Sequence, residues 1–445
     1  MQSLARGQWH SAQYGIVQPL LALPLYTLGH LASALQGVPP AGVRGPAEPT
    51  AQLFTTLLMP VLVAGVNALF CGLALRLGYP PGVAAFGALA LGLSTILWPY
   101  AKTSFTEPLN AGLLLLALAF LTAAGQSGRR CALVWAGCSL AVGGLNSLPV
   151  LLVGAPTFGL GLLVDAREEL RERHWVPLVR RLCALGLPML AGAGVWLLLN
   201  YLRRGHPLAT GYEGDFGFPT LVYDGSGGFS TPLLIGVYSL LFSAGKSLFL
   251  YSPLLALTVW WLPAFWRRHR TVGVTAALVS VGVLLFYARW HSWHGDIAWG
   301  PRYLVPTVPL LILPILEIGR TMATGRRPMR WTAGGLLALG VIVQLLAVSV
   351  DYGHYFARVV DTRDYHNEYL IEYLPHFNPI WGQVEVIRSR AAPFDLRWAS
   401  QPGWPVAAVL VLAALSTTHL LASALAGQVI PGTEVARRAG RLLRA

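Results

Sequence analysis

The chain has 445 residues, of which 55% are hydrophobic and only 11% are charged, whereas an ordinary soluble domain carries about 25% charged residues. This composition excludes a soluble globular protein and predicts an all-α, polytopic protein of the cell membrane. We attribute the formal net charge of +13 to membrane topology and to contact with anionic membrane lipid, and we expect no nucleic-acid partner.

Runs of about 17 to 25 apolar residues, the length that spans a bilayer, predict about 11 transmembrane helices. They lie near residues 51–75, 82–99, 108–125, 131–147, 149–165, 182–201, 249–266, 272–289, 303–319, 331–350 and 405–426. An earlier apolar stretch, residues 15–35, contains Pro19 and Pro24. It is therefore either a poor span or a helix lying in the membrane interface.

The predicted organisation has four parts: an extracytoplasmic loop with the interfacial helix, a transmembrane core, a small extracytoplasmic cap, and a last span with a basic cytoplasmic tail. In that order they cover residues 1–50, 51–350, 351–404 and 405–445. The core carries extracytoplasmic loops at residues 100–107, 202–248 and 290–302. A segment as short as the cap is near the size at which an isolated core is marginal, so we expect it to pack on the loops around Trp293 and residues 211–218.

Charge assigns the two sides of the membrane, because Lys and Arg accumulate in cytoplasmic loops. When the loops are sorted alternately, one face holds 19 of the 32 Lys and Arg residues but only 6 of the 19 Asp and Glu residues. This face, which includes the 166–181 loop and the C-terminus, is predicted to be cytoplasmic. We expect the function on the opposite face, where longer loops mix polar and aromatic residues.

Two polar positions stand out where these longer loops meet the spans. Glu107 begins a span directly before Pro108, and it either caps that helix or takes part in a site. Lys246 follows a short apolar half-segment. Lys246 and Lys102 are the only lysines among 32 basic residues, and the others are arginines. In such a chain, a lysine indicates a position that needs a compact cation.

The densest group of polar and aromatic residues is ARWHSWHGDIAWGPRYLVP, residues 288–306. Arg302 is its strongest candidate for binding an anion, because a guanidinium grips phosphate through two parallel hydrogen bonds. The preceding Gly300-Pro301 pair fixes the turn that presents it. The alternative is an aromatic belt at the membrane interface with a snorkelling arginine.

Three residues of this segment belong to types that ligate metals. They are His291, His294 and Asp296. No clear fourth ligand accompanies them in the sequence, so we predict no metal site and no other cofactor.

Four runs occur in order along the predicted extracytoplasmic face: SAQYGIVQPLLALPLYTLG, TSFTEPL, PLLIGVYSLLFSAGKSLFLYSPLL and WHGDIAWGPRYLVPTVPLL. In these runs the chain resembles bacterial C-type integral-membrane glycosyltransferases (GT-C), the relatives of protein O-mannosyltransferases and lipid A aminoarabinose transferases. The resemblance implies transfer of a sugar from a polyprenyl-phosphate donor to a glycan, lipid or protein acceptor outside the cytoplasm.

The resemblance also implies roles for individual residues. Arg302 and Lys246 would hold the donor phosphate, and Glu107 would be the catalytic carboxylate beside the acceptor. Tyr251 and Trp299 would line the cavity. The full set of candidate substrate-binding residues is Arg302, Lys246, Tyr251, His294, Asp296, Trp299 and Lys102.

The start of the chain departs from the pattern of that family, in which a first span leads directly to an acidic motif. No Asp or Glu precedes Glu48, and about eleven spans with a cytoplasmic C-terminus leave the N-terminus outside. We therefore expect a missing upstream helix from a start assigned too late. A truncated, inactive copy and a membrane-spanning 15–35 segment are the alternatives.

Two other functions compete with sugar transfer. The first is a transporter or flippase for a lipid-linked or amphipathic solute, which predicts polar residues through the middle of several spans. Spans such as 405–426 have almost no ionisable residues, which argues against a charged pathway. The third reading is a membrane scaffold without catalytic activity.

Overall fold

The computed structural model describes residues 14–35, 49–212, 227–318, 327–360 and 367–392. Within these ranges all regular secondary structure is helical, which confirms the predicted all-α class. The α-helices, labelled α1 to α18 in chain order, are Val17–Leu35, Pro49–Thr56, Leu58–Arg76, Pro81–Ser94, Glu107–Ser127, Arg130–Asn146, Leu148–Asp165, Arg167–Arg171, Trp175–Arg204, Leu233–Phe242, Leu248–Tyr251, Leu255–Arg268, Arg270–Arg289, Val308–Leu311, Arg327–Ser349, Gly353–Val359, Glu368–Tyr373 and Pro379–Arg388.

Several helices have the length and composition of membrane spans. In the described part of the chain, six helices are long and apolar enough: Thr50–Arg76, Glu107–Ser127, Leu148–Asp165, Trp175–Arg204, Arg270–Arg289 and Pro328–Ser349. Each overlaps a predicted span, and the shortest, with 18 residues, rises about 27 Å. A membrane protein is therefore indicated, whereas the predicted number of about eleven spans is not confirmed.

The prediction of one continuous span at 303–319 is wrong. The chain there forms three short helical turns within residues 302–317, because Pro306, Pro309 and Pro314 each lack an amide hydrogen for the helical ladder. The apolar side chains of the segment are almost all buried by the surrounding protein. Irregular backbone at membrane depth is tolerated where protein rather than lipid surrounds it.

Two more predicted spans differ from the expectation, and a third has the predicted bounds. The 82–99 segment forms only α4, whose 14 residues rise about 21 Å, and the 249–266 segment is broken between α11 and α12 at Ser252 to Leu254. The 131–147 segment agrees with its prediction: it forms one continuous helix, α6, with 17 residues, packed against α5 and α9. The predicted span 405–426 lies outside the described residues.

The irregular 302–317 segment is a central packing element of the bundle. It contacts α5, α12 and α13, and its side chains belong to the main buried apolar cluster. Helix α5 begins at Glu107 and α13 ends at Arg289, so both helices have an end beside the loop that leads into this segment. This arrangement brings the 290–302 loop to the start of α5.

The 15–35 stretch forms helix α1, which begins at Val17. The backbone N–H of Gln18 donates to Asn146 Oδ1 at 3.2 Å, and its side-chain amide donates to the Ser104 carbonyl oxygen at 2.7 Å. Leu20 and Leu35 are among several exposed leucines of α1. The first turn of α1 therefore contacts both the end of α6 and the loop before Glu107. Its position in a membrane interface stays a prediction.

The described part of the predicted cap packs where that prediction expected it, beside Trp293. The Tyr373 ring lies 6.0 Å from the Trp293 ring, and the Gly245 N–H donates to the Glu372 carbonyl oxygen at 2.9 Å. Residues 213–218 and 393–404 lie outside the described ranges. The side of the membrane that the segment occupies stays a prediction.

Candidate functional site

The 290–302 loop is a succession of tight turns that ends on Arg302. Gly295, Asp296 and Gly300 all have positive φ angles, of 73°, 58° and 65°. A Cβ atom on Gly300 would lie 2.9 Å from Cγ of Tyr251. Glycine is therefore favoured at this position both by the positive φ angle and by the close contact with Tyr251. These turns direct the Arg302 side chain against the first turn of α5.

Arg302 and Glu107 form a buried ion pair although they are 195 residues apart in the chain. Arg302 Nε donates to Glu107 Oε1 at 2.8 Å, and the two side chains are only 13% and 5% exposed. Burial alone would lower the pKa of Arg302, but the Glu107 carboxylate raises it above its ordinary value. The guanidinium therefore remains charged inside the protein.

Beyond Nε, the Arg302 guanidinium makes an aromatic contact and one long polar contact. Its central carbon lies 3.8 Å from the centre of the Phe105 ring, a cation–π distance. Nη1 is 3.9 Å from Asp296 Oδ2, too far for a hydrogen bond. Among the described residues the Nη edge thus retains donors for a ligand, and Glu107 Oε2 likewise has no hydrogen-bond partner.

An aromatic wall adjoins the ion pair. Trp299 packs edge-on against Tyr251 at 5.0 Å and against Tyr352 at 5.8 Å, and its carbonyl oxygen accepts from the Tyr100 hydroxyl at 3.1 Å. The indole N–H of Trp299 and the hydroxyls of Tyr251 and Tyr352 are buried without a hydrogen-bond partner in the described chain. Buried polar atoms rarely stay unpaired, so these three groups are candidates for contact with a bound molecule.

A second buried group of charges supports the loop from the other side. The Lys246 ammonium donates to the backbone carbonyl oxygens of Asp296 and Ala298 at 3.1 and 2.9 Å. His294 Nδ1 lies 2.9 Å from Glu368 Oε1 and 3.6 Å from Glu372 Oε1. We call Lys246, His294, Glu368 and Glu372 the buried charge cluster; all four are at most 2% exposed.

The members of the buried charge cluster shift one another's proton affinities. Burial lowers the pKa of His294, but Glu368 and Glu372 outweigh it and raise the value to about 9. Burial raises the pKa of Glu372 to about 8, although His294 opposes the shift. Burial also raises the pKa of Glu368, but His294 lowers it more, to below its ordinary value. Burial lowers the pKa of Lys246.

Part of the same cluster has the composition of a divalent-cation site. His294, Glu368 and Glu372 each offer one ligand atom, and these atoms lie within 4.8 Å of one another. One imidazole and two carboxylates are suitable ligands for zinc and similar metals. Lys246 interacts electrostatically with both glutamates, so a cation of the protein already lies beside these ligand atoms.

The cluster predicts that stability falls as the pH rises from 6.5 to 8. In this window His294 and Glu372, with folded pKa values of about 9 and 8, keep protons that the unfolded chain has released. A rise in pH therefore lowers the free energy of unfolding. The contributions of Glu372 and His294 have the same sign over this window. We expect the melting temperature of the purified protein to fall less between pH 6.5 and 8 in Glu372→Gln than in the wild type.

The control for this pH effect is Glu385→Gln, because Glu385 is an exposed carboxylate on α18. It should retain the pH dependence of the wild type. An equal slope in the wild type and Glu372→Gln would contradict the assignment of the proton to Glu372.

The structure gathers most of the sequence-predicted site residues around one loop. Glu107 pairs with Arg302, Tyr251 packs on Trp299, and Lys246 holds the loop backbone. His294 and Asp296 lie in the loop itself. Lys102 differs: its exposed side chain donates to the Val350 carbonyl oxygen at 3.3 Å.

Two functional candidates, Glu368 and Glu372, were missed by the sequence interpretation. They stand four residues apart on α17, a spacing that places both on one helix face, and this pair of acids in an apolar chain was the available signal. Of the three residues of metal-ligating type that the loop sequence offers, only His294 belongs to this group; His291 Nδ1 lies 3.2 Å from the Gly228 carbonyl oxygen.

Comparison with known proteins adds no family to this description. No family model, no curated protein and no solved structure matches the chain.

Proposed function

We propose that this protein is a membrane glycosyltransferase that moves a sugar from a polyprenyl-phosphate donor to an acceptor outside the cytoplasm. The observation that carries the proposal is the buried Arg302–Glu107 ion pair at 2.8 Å. It joins a cation suited to a leaving phosphate and a carboxylate suited to an attacking hydroxyl. The resemblance to C-type glycosyltransferases in four sequence runs supports the same reaction.

In the proposed reaction, the Glu107 carboxylate accepts the proton of the acceptor hydroxyl. The hydroxyl oxygen then forms a bond to the anomeric carbon while the bond from that carbon to the phosphate oxygen breaks. The polyprenyl phosphate leaves with the bonding electrons, and the Nη edge of Arg302 stabilises its negative charge. Glu107 returns its proton to water afterwards.

The remaining groups of the site have supporting roles in this proposal. Trp299 and its neighbours Tyr251 and Tyr352 provide an aromatic surface with unpaired polar groups, which suits a sugar ring and its hydroxyls. Lys246 fixes the backbone of the loop that carries Arg302. The isoprenoid tail would lie among the apolar helices, with its phosphate at the ends of α5 and α13.

The proposal is tested by the release of polyprenyl phosphate from a panel of polyprenyl-phosphate sugars, using the purified protein and membrane-derived acceptors. We expect Glu107→Gln to lower turnover by about 100-fold or more, the usual contribution of a general base. Glu385→Gln makes the same chemical change at an exposed site and should leave turnover unchanged. Equal turnover in the wild type and Glu107→Gln would exclude the proposed base.

A further inference from the structure

A basic cavity lies at the opposite end of α13 from the 290–302 loop. It has a volume of about 570 Å³ and is lined by Arg167, Trp266, Arg267, Arg268 and Arg270. These residues come from the start of α8, the end of α12 and the first residue of α13. The cavity therefore concentrates positive charge where two helices meet a third at one end of the bundle.

An apolar groove of about 390 Å³ continues from this cavity along the bundle. Its walls are Leu160, Leu163 and Val164 from the last turns of α7, and Val274 and Leu278 from the first turns of α13. Arg167 and Arg270 line both the cavity and the groove. Both α7 and α13 are candidate membrane spans, so the groove runs along two candidate spans and ends at cations.

Two acidic side chains near the cavity are already paired. Asp165 forms an ion pair with Arg181, and Glu317 accepts from the Tyr79 hydroxyl and lies 3.8 Å from Arg268 Nη1. By contrast, no ion pair joins Arg167, Arg267 or Arg270 to an acid within the described ranges. The cavity therefore has three arginines without an ion-pair partner among the described residues.

We propose that this cavity binds the phosphate headgroup of an anionic phospholipid, with one acyl chain in the adjoining groove. The arginines supply charge-assisted hydrogen bonds to phosphate, and the groove gives the ligand an apolar tail along a membrane span. A soluble phosphate would use only the basic half of this surface. The predicted cytoplasmic orientation agrees, because anionic lipids are concentrated in that leaflet. The proposal does not depend on the glycosyltransferase reaction.

Titration of the purified protein in neutral detergent with short-chain phosphatidylglycerol tests this proposal, with phosphatidylcholine of the same chains as reference. In Arg167→Gln/Arg270→Gln we expect about 30-fold weaker binding of phosphatidylglycerol, from two basic residues near a lipid phosphate. The matched control is Arg171→Gln/Arg180→Gln, which removes two exposed arginines of the same bundle face outside the cavity. The control should bind as the wild type does.

Two further arms separate a lipid from other anions. Leu160→Trp fills the groove at a half-exposed position without changing charge, and it should weaken the binding of phosphatidylglycerol several-fold. Glycerol phosphate, which has the headgroup chemistry without a tail, should bind far more weakly than the lipid. Equal losses in the two double variants would mean general surface charge, and equal affinity for glycerol phosphate would mean a free-anion site. Either result would overturn the proposal.

Discussion

Replacing Arg302 with leucine is expected to destabilise the folded protein by about 3–5 kcal/mol, because it leaves the buried Glu107 carboxylate without its partner. The size of the effect follows from burial, since both side chains are almost inaccessible. Chemical denaturation of the purified protein, followed by tryptophan fluorescence, measures the change. Arg302→Lys should retain more stability than Arg302→Leu but should not recover donor binding, because an ammonium cannot present two parallel donors.

The matched control for Arg302 removes both charges at once. Glu107→Leu combined with Arg302→Leu should be more stable than Arg302→Leu alone, because no unpaired charge remains buried. If the single and the double variant were equally unstable, the loss would come from packing against Phe105 and Tyr303, and the ion pair would not be the stabilising contact.

Lys246→Met is the second substitution with a large expected effect, again about 3–5 kcal/mol of lost stability. Methionine removes the donors to the carbonyl oxygens of Asp296 and Ala298 and leaves the buried Glu368 carboxylate with less compensating charge. We therefore expect a lower unfolding midpoint and a disordered 290–302 loop, measured by hydrogen–deuterium exchange of its amides.

Lys102→Met is the matched control, because Lys102 is the chain's other lysine and is exposed. A surface substitution of this kind usually changes stability by about 0.5 kcal/mol or less. Similar losses for the two lysines would contradict the special role of Lys246. Normal exchange protection of the loop in Lys246→Met would show that its two backbone hydrogen bonds do not hold the loop.

The length of apolar runs correctly predicted helices such as α13. It wrongly predicted a continuous helix at residues 303–319, where other parts of the protein surround the chain. Residues 272–289 became part of α13 because nothing in them interrupts the helical ladder. Residues 303–319 are equally apolar, but their hydrophobic side chains fill the centre of the bundle. Hydropathy does not distinguish burial in protein from burial in lipid. The three prolines of that segment carried the missing information.

The scarcity of charge predicted the site better than any motif did. In a chain with 11% charged residues, an acid or a base at the end of a span is costly unless it has a partner, and Glu107 and Arg302 turned out to be each other's partner. The sequence did not identify them as a pair, because the contact spans 195 residues. Glu368 and Glu372 were missed for the same reason: their partners, Lys246 and His294, come from distant segments.

The most direct test of the proposed site compares the binding of a polyprenyl phosphate with that of the matching uncharged polyprenol. The measurement is best made in the Arg167→Gln/Arg270→Gln background, so that the basic cavity does not contribute. We predict that this protein binds the phosphate at least about tenfold more tightly than the polyprenol, the ratio that one charge-assisted hydrogen bond contributes. Arg302→Gln should remove this preference. An unchanged preference for the phosphate in Arg302→Gln would contradict the assignment of Arg302 to the donor.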